Sequence, residues 1–186
     1  MKGCLNMPRK KRIWYPGAIY HIINRGNRKS ELFRDSADNK YFLELILEAK
    51  KKYQFKLLCY CLMINHYHLE IKTGEIEIWK IMRQINLHYA KYFNHKYGLS
   101  GHLFQGRYGS NLIENNYKKL LVSRYIHLNP VRANLVSEAE KYRWSSYGDY
   151  LNKKESKIVE TDILLSFFGE NSREKYKDYV ESLIKI

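Results

Sequence analysis

The chain has 186 residues, 45% of them apolar, which suits one compact domain or one domain with a small appendage and argues against global disorder. Its 33 Lys and Arg against 19 Asp and Glu give a formal net charge of +14, so a polyanion is the expected partner, because neutralising phosphates releases condensed counterions. No apolar run approaches the ~20 residues of a membrane span, no apolar stretch follows the basic N-terminus as it would in a secretory signal, and the three cysteines lack zinc-type spacing. A membrane protein, a disulfide scaffold and a zinc finger are thereby disfavoured.

A cytoplasmic, nucleoid-associated protein without disulfides is the expectation. The 17 tyrosines add aromatic faces to this cationic background. That pairing suits single-stranded nucleic acid, whose unpaired bases stack while its backbone follows the charge; many of the tyrosines are also expected in the core.

In chain order, residues 1–12, with the run Pro8-Arg-Lys-Lys-Arg12, read as a flexible basic arm. Ala18 to Asn24 reads as a strand and Arg25-Gly26-Asn27-Arg28 as a basic turn. Asp35 to Asp38 offers a helix cap, and Tyr41, Phe42, Leu45, Ile46 and Ala49 follow at helical spacing as far as Tyr53. Phe55 to Met63 is a continuous apolar run, expected as a buried central strand in which Cys59 and Cys61 are small core residues.

Ile64-Asn65 reads as a turn into a partner strand, His66 to Lys72. Ile76 to Tyr97 is an amphipathic helix stopped by Gly98. His102 to Ile113 is expected to be extended. Asn115 caps a helix that should run to about Leu128 and not continue past Pro130. From Glu138 on, the pattern is helical but irregular. The expected fold is α+β, an antiparallel sheet covered by helices. Residues 13–151 would form the main domain and 152–186 a helical tail of unassigned role.

Two short patterns carry chemistry. In His66-Tyr67-His68 the histidines lie two apart on a strand, so they face the same way, roughly 6.5–7 Å apart. Two imidazoles so placed can converge on a divalent cation about 2.1 Å from each ring nitrogen; by itself the spacing equally describes polar surface. Glu70 extends that face, either orienting a ligand or solvated. In Tyr125-Ile-His-Leu-Asn129, positions i and i+4 share one helical face. Tyr125 also lines up with Tyr117, Leu121 and Leu128, which on spacing alone favours a core tyrosine. His127 points elsewhere, toward a phosphate or the helix end.

Joined, the patterns describe phosphoryl chemistry. Two histidines and an amide oxygen leave a divalent ion with open positions for a scissile phosphate. A tyrosine assisted by a nearby cation can attack that phosphate. The product is a covalent phosphotyrosine that stores the bond for a later joining step, which a hydrolytic nuclease does not need.

Other residues each allow two readings. Arg25, Arg28 and Lys29 hold phosphates or form a solvated loop, with equal weight. Arg107 and Tyr108 offer a cation and a stacking ring to DNA, or pack in a strand; the first is preferred. Arg132 meets the scissile strand or caps its helix. His21 reads as a satisfied core histidine, His88 and His95 as surface residues and Trp144 as a packing anchor.

Several stretches together resemble one family: Gly17-Ala-Ile-Tyr-His-Ile-Ile-Asn-Arg-Gly-Asn-Arg28, Leu62-Met-Ile-Asn-His-Tyr-His-Leu69, Tyr92-Phe-Asn94, Gly101-His-Leu-Phe-Gln-Gly-Arg-Tyr108, Arg124-Tyr-Ile-His-Leu-Asn-Pro-Val-Arg-Ala133 and Trp144-Ser-Ser-Tyr147. In this order, over roughly Pro8 to Leu151, they resemble the REP-associated and insertion-sequence-200-like transposases of the HUH single-tyrosine nuclease group. The resemblance implies an HUH endonuclease sheet of ferredoxin-like type, with His66, His68 and Asn129 as metal ligands and Tyr125 as nucleophile. It implies Mg²⁺ or Mn²⁺ rather than zinc. It also implies cleavage of single-stranded DNA near a hairpin or imperfect palindrome, giving a 5′-phosphotyrosine and a free 3′-hydroxyl. Relatives of this kind are monomers or homodimers that exchange tyrosine helices.

Three positions depart from the pattern: Tyr67 stands where an aliphatic residue is usual, Ile64 where proline is common and Glu70 where leucine is common. From about Asn152 no family motif is present. The competing readings are a relaxase or replication initiator with the same nicking chemistry, an inactive relative that only binds hairpins, and a zinc hydrolase.

Overall fold

The computed structural model describes residues 13–151 and 157–182. The expected basic arm lies outside the described residues, as does Cys4.

The sheet is built from β1 (Ile19–Arg25), β2 (Lys56–Met63), β3 (His66–Lys72) and β4 (Gly109–Ile113) in the order β2-β3-β1-β4, with each neighbouring pair antiparallel. Helix α1 (Ser36–Tyr53) connects β1 to β2, and α2 (Ile78–Tyr97) connects β3 to β4. This is the split β-α-β arrangement of the ferredoxin-like folds. The expected α+β class is the observed one.

Local signals account for the helix ends. Asp35 caps α1 by accepting from the backbone of Ala37 and Asp38, while the Asp38 carboxylate accepts from the Asp35 N–H, a reciprocal capping box. Lys96 on α2 bridges both carboxylates at 2.8 and 2.7 Å, tying the start of α1 to the end of α2. Gly98 ends α2 with φ +63°, the left-handed region that a glycine enters without a Cβ penalty.

The period of two along β3 sorts its side chains. Tyr67, Leu69 and Ile71 join Tyr20 and Ile22 of β1 in the core under α1 and α2. His66, His68 and Glu70 therefore face the other side. There, α3 (Asn116–Arg132), α4 (Tyr147–Leu151), α5 (Asp162–Leu165) and α6 (Ser172–Glu181) supply a second core, with Ile126, Leu128, Tyr150, Leu164, Tyr176 and Val180 packed on Leu58, Cys59 and Cys61 of β2. Strand β2 is thus buried on both faces, the reason for its unbroken apolar run.

Two expectations fail. Only Gly109–Ile113 of the segment 102–113 is a strand, apart from an isolated bridge between Phe104 and Gly26. Helix α3 does not stop before Pro130 but runs through it to Arg132. Pro130 sits in the last turn, where its missing N–H forfeits one intrahelical bond. The end then closes normally, with the N–H groups of Ala133, Asn134 and Leu135 donating to Asn129, Val131 and Pro130. Among the described residues no helix is long and apolar enough to cross a membrane.

Candidate active site

The β3 histidines stand with ring centroids 5.0 Å apart, nearly edge to face. His66 Nδ1 lies 2.7 Å from Asn65 Oδ1. That oxygen only accepts, so Nδ1 carries the proton and Nε2 keeps its lone pair. His68 Nδ1 lies 2.9 Å from His21 Nε2, and the two rings meet edge to edge with centroids 5.2 Å apart and planes 21° apart. His68 Nε2 is buried and has no hydrogen-bond partner among the described residues. Burial, aided by the Arg25 charge, pushes His66 down to about 4. Burial, then the charges of His21, His66 and Arg25, pushes His68 to about 3. Both rings are therefore neutral near pH 7, the form that ligates metals.

Helix α3 packs across β2 and β3 and carries Tyr125 to this pair. The Tyr125 ring lies 5.5 Å from His68 and 6.0 Å from His21 and is 39% exposed. The core reading that its spacing favoured is overturned. Of the residues Tyr125 lines up with, Leu128 is buried, together with Ser123, Ile126, His127, Asn129 and Pro130, whereas Tyr117 is 70% exposed. The Arg132 guanidinium lies 5.3 Å from the centre of the Tyr125 ring. One turn from the tyrosine, Asn129 donates from Nδ2 to the Tyr125 carbonyl at 2.8 Å, which leaves Oδ1 as its lone-pair end. Among the described residues no three His, Cys, Asp or Glu side chains gather as a metal cluster.

Three further residues depart from expectation. His21 is not an ordinary core histidine: it touches both His68 and Tyr125. Glu70 is not solvated. It is fully buried and receives the Cys59 thiol at 3.5 Å, and burial lifts its carboxyl to about 8. His127 meets neither a phosphate nor the helix end. It is buried between Ser146 Oγ and the Tyr176 hydroxyl, each 3.0 Å from a ring nitrogen. His88 and His95 are on the surface, and Trp144 packs against the main core, as expected.

Arg25 ends β1 and Arg28 and Lys29 lie on the turn after it, all three exposed. Arg25 pairs in register with His66, so this turn adjoins the histidine end of the sheet. Loop 101–108 is docked on it through Asn27 N–H to the Leu103 carbonyl, 2.8 Å, and Gln105 N–H to the Arg25 carbonyl, 2.9 Å. Between this loop and α2, on the sheet face away from the histidines, lies a cleft of about 1090 Å³ bordered by Trp14, Trp79, Arg83, Phe104 and Arg107. Arg107 is exposed there, whereas Tyr108 is only 8% exposed and packs with the core while bordering the cleft.

No curated protein sequence matches this chain. Among solved structures, it is similar to a REP-associated tyrosine transposase bound to a REP hairpin, with 20% identity and a TM-score of 0.66 over 84% of this chain and 93% of the other. A chain assigned as a transposase from Deinococcus radiodurans R1 matches at 14% identity and TM-score 0.45, over 64% of this chain and 95% of the other. The first likeness supports the fold; the second, below 0.5, bears no weight. The family model described as "Transposase IS200 like" matches residues 15–129, from the turn before β1 to Asn129 at the end of α3. The chain belongs to the IS200-like transposase family.

Proposed function

We propose that this transposase cleaves and rejoins single-stranded DNA through Tyr125, with a divalent cation, Mg²⁺ or Mn²⁺, held by His66, His68 and Asn129. One observation carries the reading. Tyr125, still accessible to solvent, stands 5.5 Å from His68, whose buried Nε2 has no partner among the described residues. An unpaired nitrogen in a buried site is costly unless a ligand meets it. The neutral rings and the lone-pair end of Asn129 form a mixed nitrogen and oxygen donor set that fits such a cation. When bound, the cation would polarise the scissile phosphate and offset charge in the transition state.

The remaining work falls to the chain's own residues. The Tyr125 oxygen forms a bond to phosphorus as the bond from phosphorus to the 3′ oxygen breaks. The 3′ oxygen leaves with a proton as a hydroxyl, and the DNA stays linked as a 5′-phosphotyrosine. Attack by a 3′-hydroxyl on that linkage reverses the step and joins strands. Arg132, beside the phenol ring, is placed to hold the scissile phosphate or balance charge at the tyrosine. Arg25, Arg28 and Lys29 would hold the backbone near the histidine end of the sheet, and Arg107 and the rim of Tyr108 would contact DNA at the cleft. The hairpin substrate is supported by the charge of +14 and by the hairpin bound to the similar transposase.

The test is an adduct assay. Hairpin oligonucleotides from the flanks of the gene, incubated with protein and Mg²⁺, should give a protein–DNA species that survives a denaturing gel and disappears with EDTA. Binding without any adduct, in Mg²⁺ or Mn²⁺, would instead establish the hairpin-binding, non-catalytic reading.

A further inference from the structure

We propose that His21 is a positioning residue: its Nε2 accepts the Nδ1–H of His68 and so fixes His68 in the tautomer whose Nε2 lone pair is open. The inference rests on the reading of His68 as a metal ligand.

A neutral imidazole carries one ring proton, and the two nitrogens compete for it. The 2.9 Å contact between His68 Nδ1 and His21 Nε2 places one proton between the rings. If His21 supplied it, the His68 proton would sit on Nε2. Nε2 would then be a buried donor with no acceptor, and its lone pair would be gone. If His68 supplies it, Nε2 becomes a bare acceptor facing the gap beside Tyr125. Only the second arrangement can ligate a cation.

The backbone holds this acceptor in place. β1 is an inner strand, with His21 paired to Glu70 on β3 and to Asn111 on β4. The His21 and His68 rings meet edge to edge through the 2.9 Å contact, with planes 21° apart, and the Tyr125 ring closes another side at 6.0 Å. His21 therefore has little freedom to turn away. The arrangement also has a counterpart. Asn65 Oδ1 does for His66 what His21 does for His68, so each ring spends Nδ1 on a fixed acceptor and presents Nε2. Outer acceptors of this kind orient metal-bound histidines, and losing one typically weakens metal binding about 10–100-fold.

The tautomer can be read without any variant. Long-range ¹⁵N–¹H spectra of the metal-free protein should show His68 protonated at Nδ1; a His68 protonated at Nε2 would overturn the inference. Variants then test the consequence, with Mn²⁺ alone as the probe and calorimetric affinity as the readout. His21→Phe keeps a ring but removes the acceptor, and should weaken Mn²⁺ binding by about 10–100-fold. His21→Gln returns an accepting oxygen on a side chain of similar reach, and should stay within a few-fold of the parent. A role in packing alone predicts the opposite order, with Phe tolerated and Gln harmful. His68→Ala separates the two levels. Loss of Mn²⁺ affinity there, with none in His21→Phe, overturns the inference alone. Unchanged affinity in His68→Ala removes the metal reading and the inference with it.

Discussion

The ring of Tyr125 stands edge-on to that of His68, with centroids 5.5 Å apart and planes at 89°. One is carried by α3, the last long helix before the tail, and the other by the inner strand β3. The helix is held there from behind: the ring of His127, two residues after Tyr125, is fixed between Ser146 and Tyr176. The segment after Leu151 thus takes part in placing the tyrosine, since Tyr176 belongs to α6.

Removing a histidine of the pair should abolish metal-dependent cleavage while leaving the fold largely intact. His66→Ala deletes a half-buried ring at the start of β3, so thermal stability should change little. Mn²⁺ affinity should fall by more than the roughly 10–100-fold typical of losing an outer acceptor. Titration calorimetry and a cleavage assay in Mg²⁺ check both parts; undiminished cleavage would remove His66 from the site.

The exposed cations should act by neutralising backbone phosphates. Lys29→Ala and Arg107→Ala are each expected to weaken binding to hairpins of different sequence about equally. The slope of log K against log salt should become shallower by roughly 0.7–0.9 for each phosphate left without its cation. Fluorescence anisotropy across a salt series measures it. An unchanged slope would place that residue outside the DNA interface.

Acid should destabilise the protein through its buried histidines. Burial lowers His127 from 6.5 to about 3. Between those values the folded protein keeps the ring neutral while the unfolded chain protonates it. The unfolded state then binds the extra proton, so stability falls as pH drops from about 6.5 toward about 3. One such group contributes at most about 1.4 kcal/mol per pH unit in that window. His127→Gln should cost about 1–3 kcal/mol at pH 7 through its broken hydrogen bonds and give a shallower decline in acid. Urea titrations at pH 7, 6 and 5 separate the two effects; an equal slope in the variant would refute the assignment.

Features written in neighbouring residues were legible in the sequence. The Asp35 cap, the Gly98 stop and the alternation that sends His66 and His68 to one face each depend on a few adjacent positions. Features set by distant residues were not. His21 meets His68 only because β1 lies beside β3 in a register that no local pattern encodes. His127 is buried by Tyr176, 49 positions away, so its short-range pattern suggested an exposed role. The alignment of Tyr125 with Leu121 and Leu128 suggested one core stripe, but of these only Leu128 is buried, beside Ile126, while Tyr125 is left 39% exposed. Pro130 misled for another reason: the helix continues through it to Arg132, giving up the one bond its missing N–H would have made.

The central claim, that Tyr125 is the nucleophile, is tested most directly by locating the DNA bond. Trypsin cuts after Arg124 and Arg132, so the peptide Tyr125–Arg132 should carry the nucleotide remnant when the adduct is digested and sequenced by mass spectrometry. The account predicts the modification on Tyr125, with no adduct in Tyr125→Phe and hairpin binding retained. A nucleotide attached to another tyrosine, such as the exposed Tyr117 on the same helix, or a stable adduct formed by the Phe variant, would contradict it.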